Sequence, residues 1–123
     1  MTQIHSYSEV LLSIADAPRH YDEGAVIFEE GDKAQEMFIV QSGTVRVLRG
    51  DQEIQVLEAG AIFGEMALLD PAPRSAKAVA GPDCDIVVVD EYTFNQLVQK
   101  VPGFAIELLR LVVRRLRREL DRP

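Results

Sequence analysis

A chain of 123 residues, 47 % of them apolar, is long enough for one domain with a single core. It has no apolar run approaching the ~18 residues of a membrane-spanning helix. Net charge is −7, but residues 104–123 hold six arginines against Glu107, Glu119 and Asp121, a net +3 that leaves −10 on residues 1–103; so acidic a body argues against a nucleic-acid-binding surface.

Met1–Ser8 is polar and lacks the basic start and apolar run of a secretory signal. A lone cysteine, Cys84, cannot form an internal disulfide, and together these point to the cytoplasm. Glu9–Ala15 reads as one or two helical turns ended by Pro18. Short strands with turn punctuation follow. Ala25–Phe28 is closed by Glu30-Gly31-Asp32, and Met37–Gln41 joins Thr44–Arg49 through Ser42-Gly43, a hairpin signal. Gly50-Asp51 turns into Glu53–Leu57, and Ala59-Gly60 leads to Ile62-Phe63. Ser75–Ala80 is a strand ended by Gly81-Pro82-Asp83, and Ile86–Val89 is a β-branched strand. Strands at this density predict an antiparallel barrel or jelly roll.

The period changes at Asp90. Glu91–Lys100 reads as a helix with Tyr92, Phe94, Leu97 and Val98 inward, interrupted at Val101-Pro102-Gly103. A second helix runs to about Leu120, with Phe104, Ala105, Leu108, Leu109, Val112, Leu116 and Leu120 as one long apolar face. Ile106, Leu111 and Val113 fall off that stripe, so one seat on the barrel cannot bury every apolar residue. A symmetric pair of helices meeting through Leu108, Leu109, Val112 and Leu116 is expected, opposed by repulsion between the arginines.

The segment Phe63–Ala76 carries the chemistry. Gly64 lets the backbone approach a ligand closely. Glu65–Leu69, including Met66 and Ala67, suits a helical turn whose first N–H groups lack intrahelical partners. Arg74 offers a permanent charge and a planar fork suited to phosphate, and Ser75 adds a hydroxyl. A carboxylate beside a phosphate would repel it, whereas one accepting from a ribose hydroxyl would not. Glu65 and Arg74 together therefore suggest a phosphate fused to a ribose.

Phe-Gly-Glu-Met-Ala-Leu-Leu followed by Pro-Arg-Ser-Ala resembles the phosphate-binding cassette of cyclic nucleotide-binding domains. The segments Tyr21–Asp32, Met37–Leu48 and Leu57–Gly60 resemble that family's first strand and turn, its central hairpin and its approach to the cassette. The resemblance covers roughly residues 10–120. It implies a single domain over residues 1–123: a mainly β, antiparallel β-roll over about 22–90, then two C-terminal helices over about 91–120. It implies a receptor without catalysis or resident cofactor, whose ligand is a cyclic nucleotide. By resemblance the ligand set is Gly64, Glu65, Met66, Ala67, Arg74, Ser75 and Ala76, with Val47, Ile54 and Leu57 as the apolar wall for the base. Ser75 directly after Arg74 resembles bacterial cAMP-binding members, so cAMP is favoured and cGMP is the second candidate. Lys77, where many eukaryotic cassettes differ, is expected to face solvent. The alternative is a degenerate fold with an empty pocket, serving protein interaction.

The terminal helix is expected to move on binding and to pass the signal to an effector domain or partner protein. Its arginines are also in reach of the purine or the phosphate. The family's transcription factors carry a further helix-turn-helix; this sequence ends at Pro123, so direct DNA binding is not expected. A metal-dependent jelly-roll enzyme is disfavoured because His5 and His20 both precede the predicted barrel, and the same two histidines with one cysteine disfavour a haem or cluster sensor.

Overall fold

The computed structural model describes residues 17–69 and 72–120. Eight strands form two antiparallel sheets. One holds β1 (Arg19–Tyr21), β8 (Cys84–Val89), β3 (Met37–Ser42) and β6 (Ile62–Phe63), in that order. The other holds β2 (Val26–Phe28), β7 (Lys77–Ala80), β4 (Val45–Arg49) and β5 (Gln52–Leu57). A single turn, α1 (Met66–Leu69), follows β6, and α2 (Glu91–Lys100) and α3 (Pro102–Leu120) close the chain. This is the expected β-roll with two terminal helices. The turns expected in Glu9–Ala15 lie outside the described residues.

The strand sequences explain the layering. Met37 to Val40 are all buried because β3 is covered on both faces. Met37 and Ile39 pack with Val87 and Val89 of β8 against Leu97, Phe104, Leu108 and Leu111 of the helices. Phe38 and Val40 face the other way, with Ile86, into the core between the sheets. The tight β3–β4 turn needs Gly43. Its φ is +77°, and a Cβ there would stand 2.4 Å from the Asp83 carbonyl oxygen.

Several expectations shift. The strand expected at Ser75 starts at Lys77, leaving Ser75 in the cassette loop, and β8 starts earlier than Ile86, at Cys84. Strand β1 was not foreseen, because Arg19–Tyr21 has no apolar alternation; its pairing with β8, from Arg19 opposite Ile86 to Tyr21 opposite Cys84, defines it. His20 therefore lies within the first sheet rather than before the barrel. Asp90 caps α2 by accepting from the Thr93 N–H at 2.8 Å, a bond that lowers the Asp90 carboxyl pKa. Thr93 and Leu97 form the buried face of α2, while Tyr92, expected inward, is 70 % exposed.

On α3 the seat on the roll is Phe104, Leu108 and Leu111. Leu108 is thus core rather than a free contact surface, and Leu111, expected off the stripe, is buried. The exposed apolar residues are Ile106, Leu109, Val113, Leu116 and Leu120. They recur at alternating steps of three and four, a heptad seam on the side away from the roll.

Candidate ligand-binding site

A cavity of about 610 Å³ lies between the β4–β5 hairpin, the cassette and α3. Its walls include Val47, Ile54 and Leu57; Gly64, Glu65 and Met66; Arg74, Ser75 and Ala76. Leu57 is buried, Val47 half-buried and Ile54 exposed. The hairpin is irregular here: Val47 pairs with Gln55 but Leu48 pairs with Glu53, so Ile54 is an extra residue on β5. Neighbours on a regular strand point to opposite faces. The bulge lets both Ile54 and Gln55 line the cavity.

Arg74 is almost fully buried, yet lies on the cavity wall. Its Nη1 donates to the Gly64 carbonyl oxygen at 3.1 Å and its Nη2 to that of Glu36 at 2.6 Å. The guanidinium carbon sits 4.3 Å from the centre of the Phe28 ring. Burial lowers the Arg74 pKa, and Glu36, Glu65 and Asp32 oppose that shift. The fork is therefore engaged by backbone carbonyls. Arg74 Nε remains buried without a partner among the described residues. Gly64 makes room for this arrangement: its φ is +69°, and a Cβ would lie 2.8 Å from Arg74 Nη1 and 3.1 Å from the Phe38 ring.

Glu65 is 1 % exposed. Its Oε1 accepts from Arg115 Nη1, and Arg115 Nη2 donates to the Ile62 carbonyl oxygen at 2.9 Å. Its Oε2 is buried without a partner among the described residues. Glu65 and Arg74 thus both line the cavity, and each carries a buried polar atom without a partner among the described residues, an acceptor on the carboxylate and a donor on the guanidinium. Lys77 turns away towards Glu29, its Nζ 3.6 Å from the carboxylate.

Sequence reading foresaw basic groups on the last helix near the site but not which one. Arg115 is singled out only by helical phase, one turn beyond the buried Leu111. Arg49, Gln55 and Arg118, also on the wall, had no signal of their own.

The family model described as "Cyclic nucleotide-binding domain" matches residues 18–101. The chain belongs to the cyclic nucleotide-binding family. It is similar to the cyclic AMP receptor protein of Thermus thermophilus, 40 % identical over an alignment of 111 positions that covers 84 % of this chain and 51 % of that protein. It is also similar to a cAMP-dependent protein kinase regulatory subunit of Hypocrea atroviridis, 28 % identical over 84 % of this chain and 22 % of that one. The crystal structure of the Thermus thermophilus catabolite activator protein superposes with a TM-score of 0.83 at 37 % identity, covering 95 % of this chain and 58 % of that one. The chain thus spans about half the length of the Thermus protein and about a fifth of the kinase subunit. The activities these relatives are named for are regulatory. No helix among the described residues is long and apolar enough to cross a membrane.

Proposed function

We propose that this cyclic nucleotide-binding domain is a cAMP receptor without catalytic activity. The observation that carries the reading is that Glu65 and Arg74, each with a buried polar atom that has no partner among the described residues, line one cavity. Glu65 Oε2 accepts from the ribose 2′-hydroxyl. Arg74 Nε and the Ser75 hydroxyl take the cyclic phosphate, and Val47, Ile54 and Leu57 cover the base. The phosphate meets the preset guanidinium through Nε while the fork stays on its carbonyls. The names of the relatives and the Ser75 position support cAMP over cGMP. Intact Glu65 and Arg74 weigh against an empty, degenerate pocket.

Arg115 supplies the link to output. It ties α3 to the very carboxylate that receives the ribose. A hydroxyl donating to Oε2 draws charge away from Oε1 and weakens its bond to Arg115, so occupancy changes how firmly α3 is held. That is a shift between two packed arrangements, read by an effector domain or partner protein in the cytoplasm. The acidic roll takes no part in DNA binding.

The seam Ile106, Leu109, Val113, Leu116 and Leu120 supports a homodimer; it keeps Leu109 and Leu116 of the contact expected from sequence and replaces Leu108 and Val112. β-Branched residues alternating with leucine favour two parallel helices. Arg110 and Arg117 flank the seam, so added salt should tighten the dimer by screening their repulsion. Sedimentation of the wild type and Leu109→Glu/Leu116→Glu at two salt concentrations tests this. A dimer lost in the variant is expected, and a monomeric wild type at high protein concentration in both salts would refute it. The ligand reading is tested by calorimetric competition between cAMP and adenosine 5′-monophosphate. The cyclic ester should win clearly; equal affinity would count against a site shaped for a fused phosphate and ribose.

A further inference from the structure

Among the described residues three side chains carry sulfur: Met37, Met66 and Cys84. Met37 and Cys84 are fully buried, one in each apolar cluster of the roll. Burial also raises the Cys84 pKa, which keeps the thiol protonated and unreactive. Met66 differs from both. It is 54 % exposed and stands on the wall of the ligand cavity, next to Glu65 in the chain. Of these three sulfurs, the one that a solute can reach lies where the ligand goes.

Exposure governs how readily a thioether meets a hydroperoxide. The reaction is a two-electron oxygen transfer. The sulfur lone pair attacks the terminal peroxide oxygen, the O–O bond breaks and an S–O bond forms. The proton on the attacked oxygen passes to the departing one, which leaves as an alcohol or, from hydrogen peroxide, as water. Sulfur is oxidised and the peroxide reduced. The sulfoxide turns a flexible apolar side chain into a polar one with an accepting oxygen. On this wall Arg74 and the Ser75 hydroxyl are the donors assigned to the cyclic phosphate. A sulfoxide oxygen beside them competes for those donors, and its partial negative charge repels the phosphate. We propose that Met66 is the site of a reversible oxidation by hydroperoxides that weakens ligand binding. Bound ligand in turn covers Met66 and slows its oxidation. This inference rests on the cyclic-nucleotide reading above and adds a redox control to that site.

The test treats the wild type and Met66→Leu with dilute hydrogen peroxide, with and without cAMP. Peptide mass spectrometry locates the added oxygen, and calorimetry compares each protein with itself before and after treatment. Melting checks that the fold survives. Met66 should oxidise before Met37, and more slowly with cAMP bound. Wild-type affinity should then fall about threefold or more, the effect of one competing neutral hydrogen bond. Methionine sulfoxide reductases should restore it, and Met66→Leu should keep its own starting affinity through the treatment. Oxidised Met66 with unchanged affinity would overturn the inference, as would equal losses in Met66→Leu or equal oxidation rates with and without cAMP. An untreated wild type that binds no cyclic nucleotide would instead overturn the reading on which the inference stands.

Discussion

Replacing Glu65 by glutamine keeps the shape of a side chain that is 1 % exposed and removes its charge. Oε1 is held by Arg115, and Oε2 is unpartnered among the described residues. A hydroxyl donating to a buried carboxylate contributes about 1.5–3 kcal/mol, roughly ten- to a hundredfold in Kd. In Glu65→Gln the amide oxygen is drawn to Arg115, leaving the NH₂ group towards the cavity. The ribose hydroxyl can accept from that NH₂, so part of the bond is recovered, and a loss of about tenfold for cAMP is expected. The variant also weakens the hold on Arg115, but that cost is common to every ligand. Comparison with 2′-deoxy-cAMP, which lacks the hydroxyl, separates the two effects in the manner of a double-mutant cycle. The deoxy ligand should lose no more than about twofold, the part due to Arg115 alone. Calorimetry on both proteins with both ligands measures this, with thermal melting as a check on folding. Equal losses for the two ligands would refute the ribose role and leave Glu65 as an anchor for α3.

Arg74→Ala should weaken cAMP at least tenfold, at about 1.4 kcal/mol per decade, and also lower stability by about 1–3 kcal/mol, since the Gly64 and Glu36 carbonyls lose their donor; a folded variant with less than threefold change in calorimetry would contradict the assignment. Gly64→Ala should destabilise by about 1–2 kcal/mol for its left-handed backbone alone, and also weaken ligand because Arg74 must shift away from the new methyl; unchanged melting and affinity would show that the guanidinium is not confined there. His20 Nδ1 donates to the Asp85 carboxylate at 2.8 Å, its pKa raised chiefly by that bond, and Asp85, lowered by the same bond, also accepts from Ser42. A raised histidine stabilises fully below its unfolded value of about 6.5 and loses that contribution as pH rises through the folded value. Melting temperature should therefore fall between pH 6 and pH 8.5 in the wild type and fall less in His20→Gln, and equal slopes would remove this pair from the account.

The roll was legible where chemistry is local. Glycine-punctuated apolar runs marked β3, β4 and β6, and Gly64, Glu65 and Arg74, singled out from sequence, line one cavity. Strand β1 was hidden because only its pairing with β8 makes Arg19–Tyr21 extended. Ile54 and Gln55 side by side on one wall depend on a bulge, which alternation cannot show. The phase of α3 was misjudged because its apolar residues cover two faces, and only packing shows that Leu108 and Leu111 face the roll while Leu109 and Leu116 do not. That Arg74 spends its fork on two carbonyls depends on the positions of Gly64 and of Glu36, the latter far away in sequence.

The most direct measurement is a calorimetric titration of the folded protein with cAMP at moderate salt, followed by the same titration of Arg74→Ala/Glu65→Gln. The account expects one saturable site per chain in the wild type and loss of most of that affinity in the double variant. Absence of binding by a folded wild type to both cAMP and cGMP, or equal binding by the double variant, would contradict it.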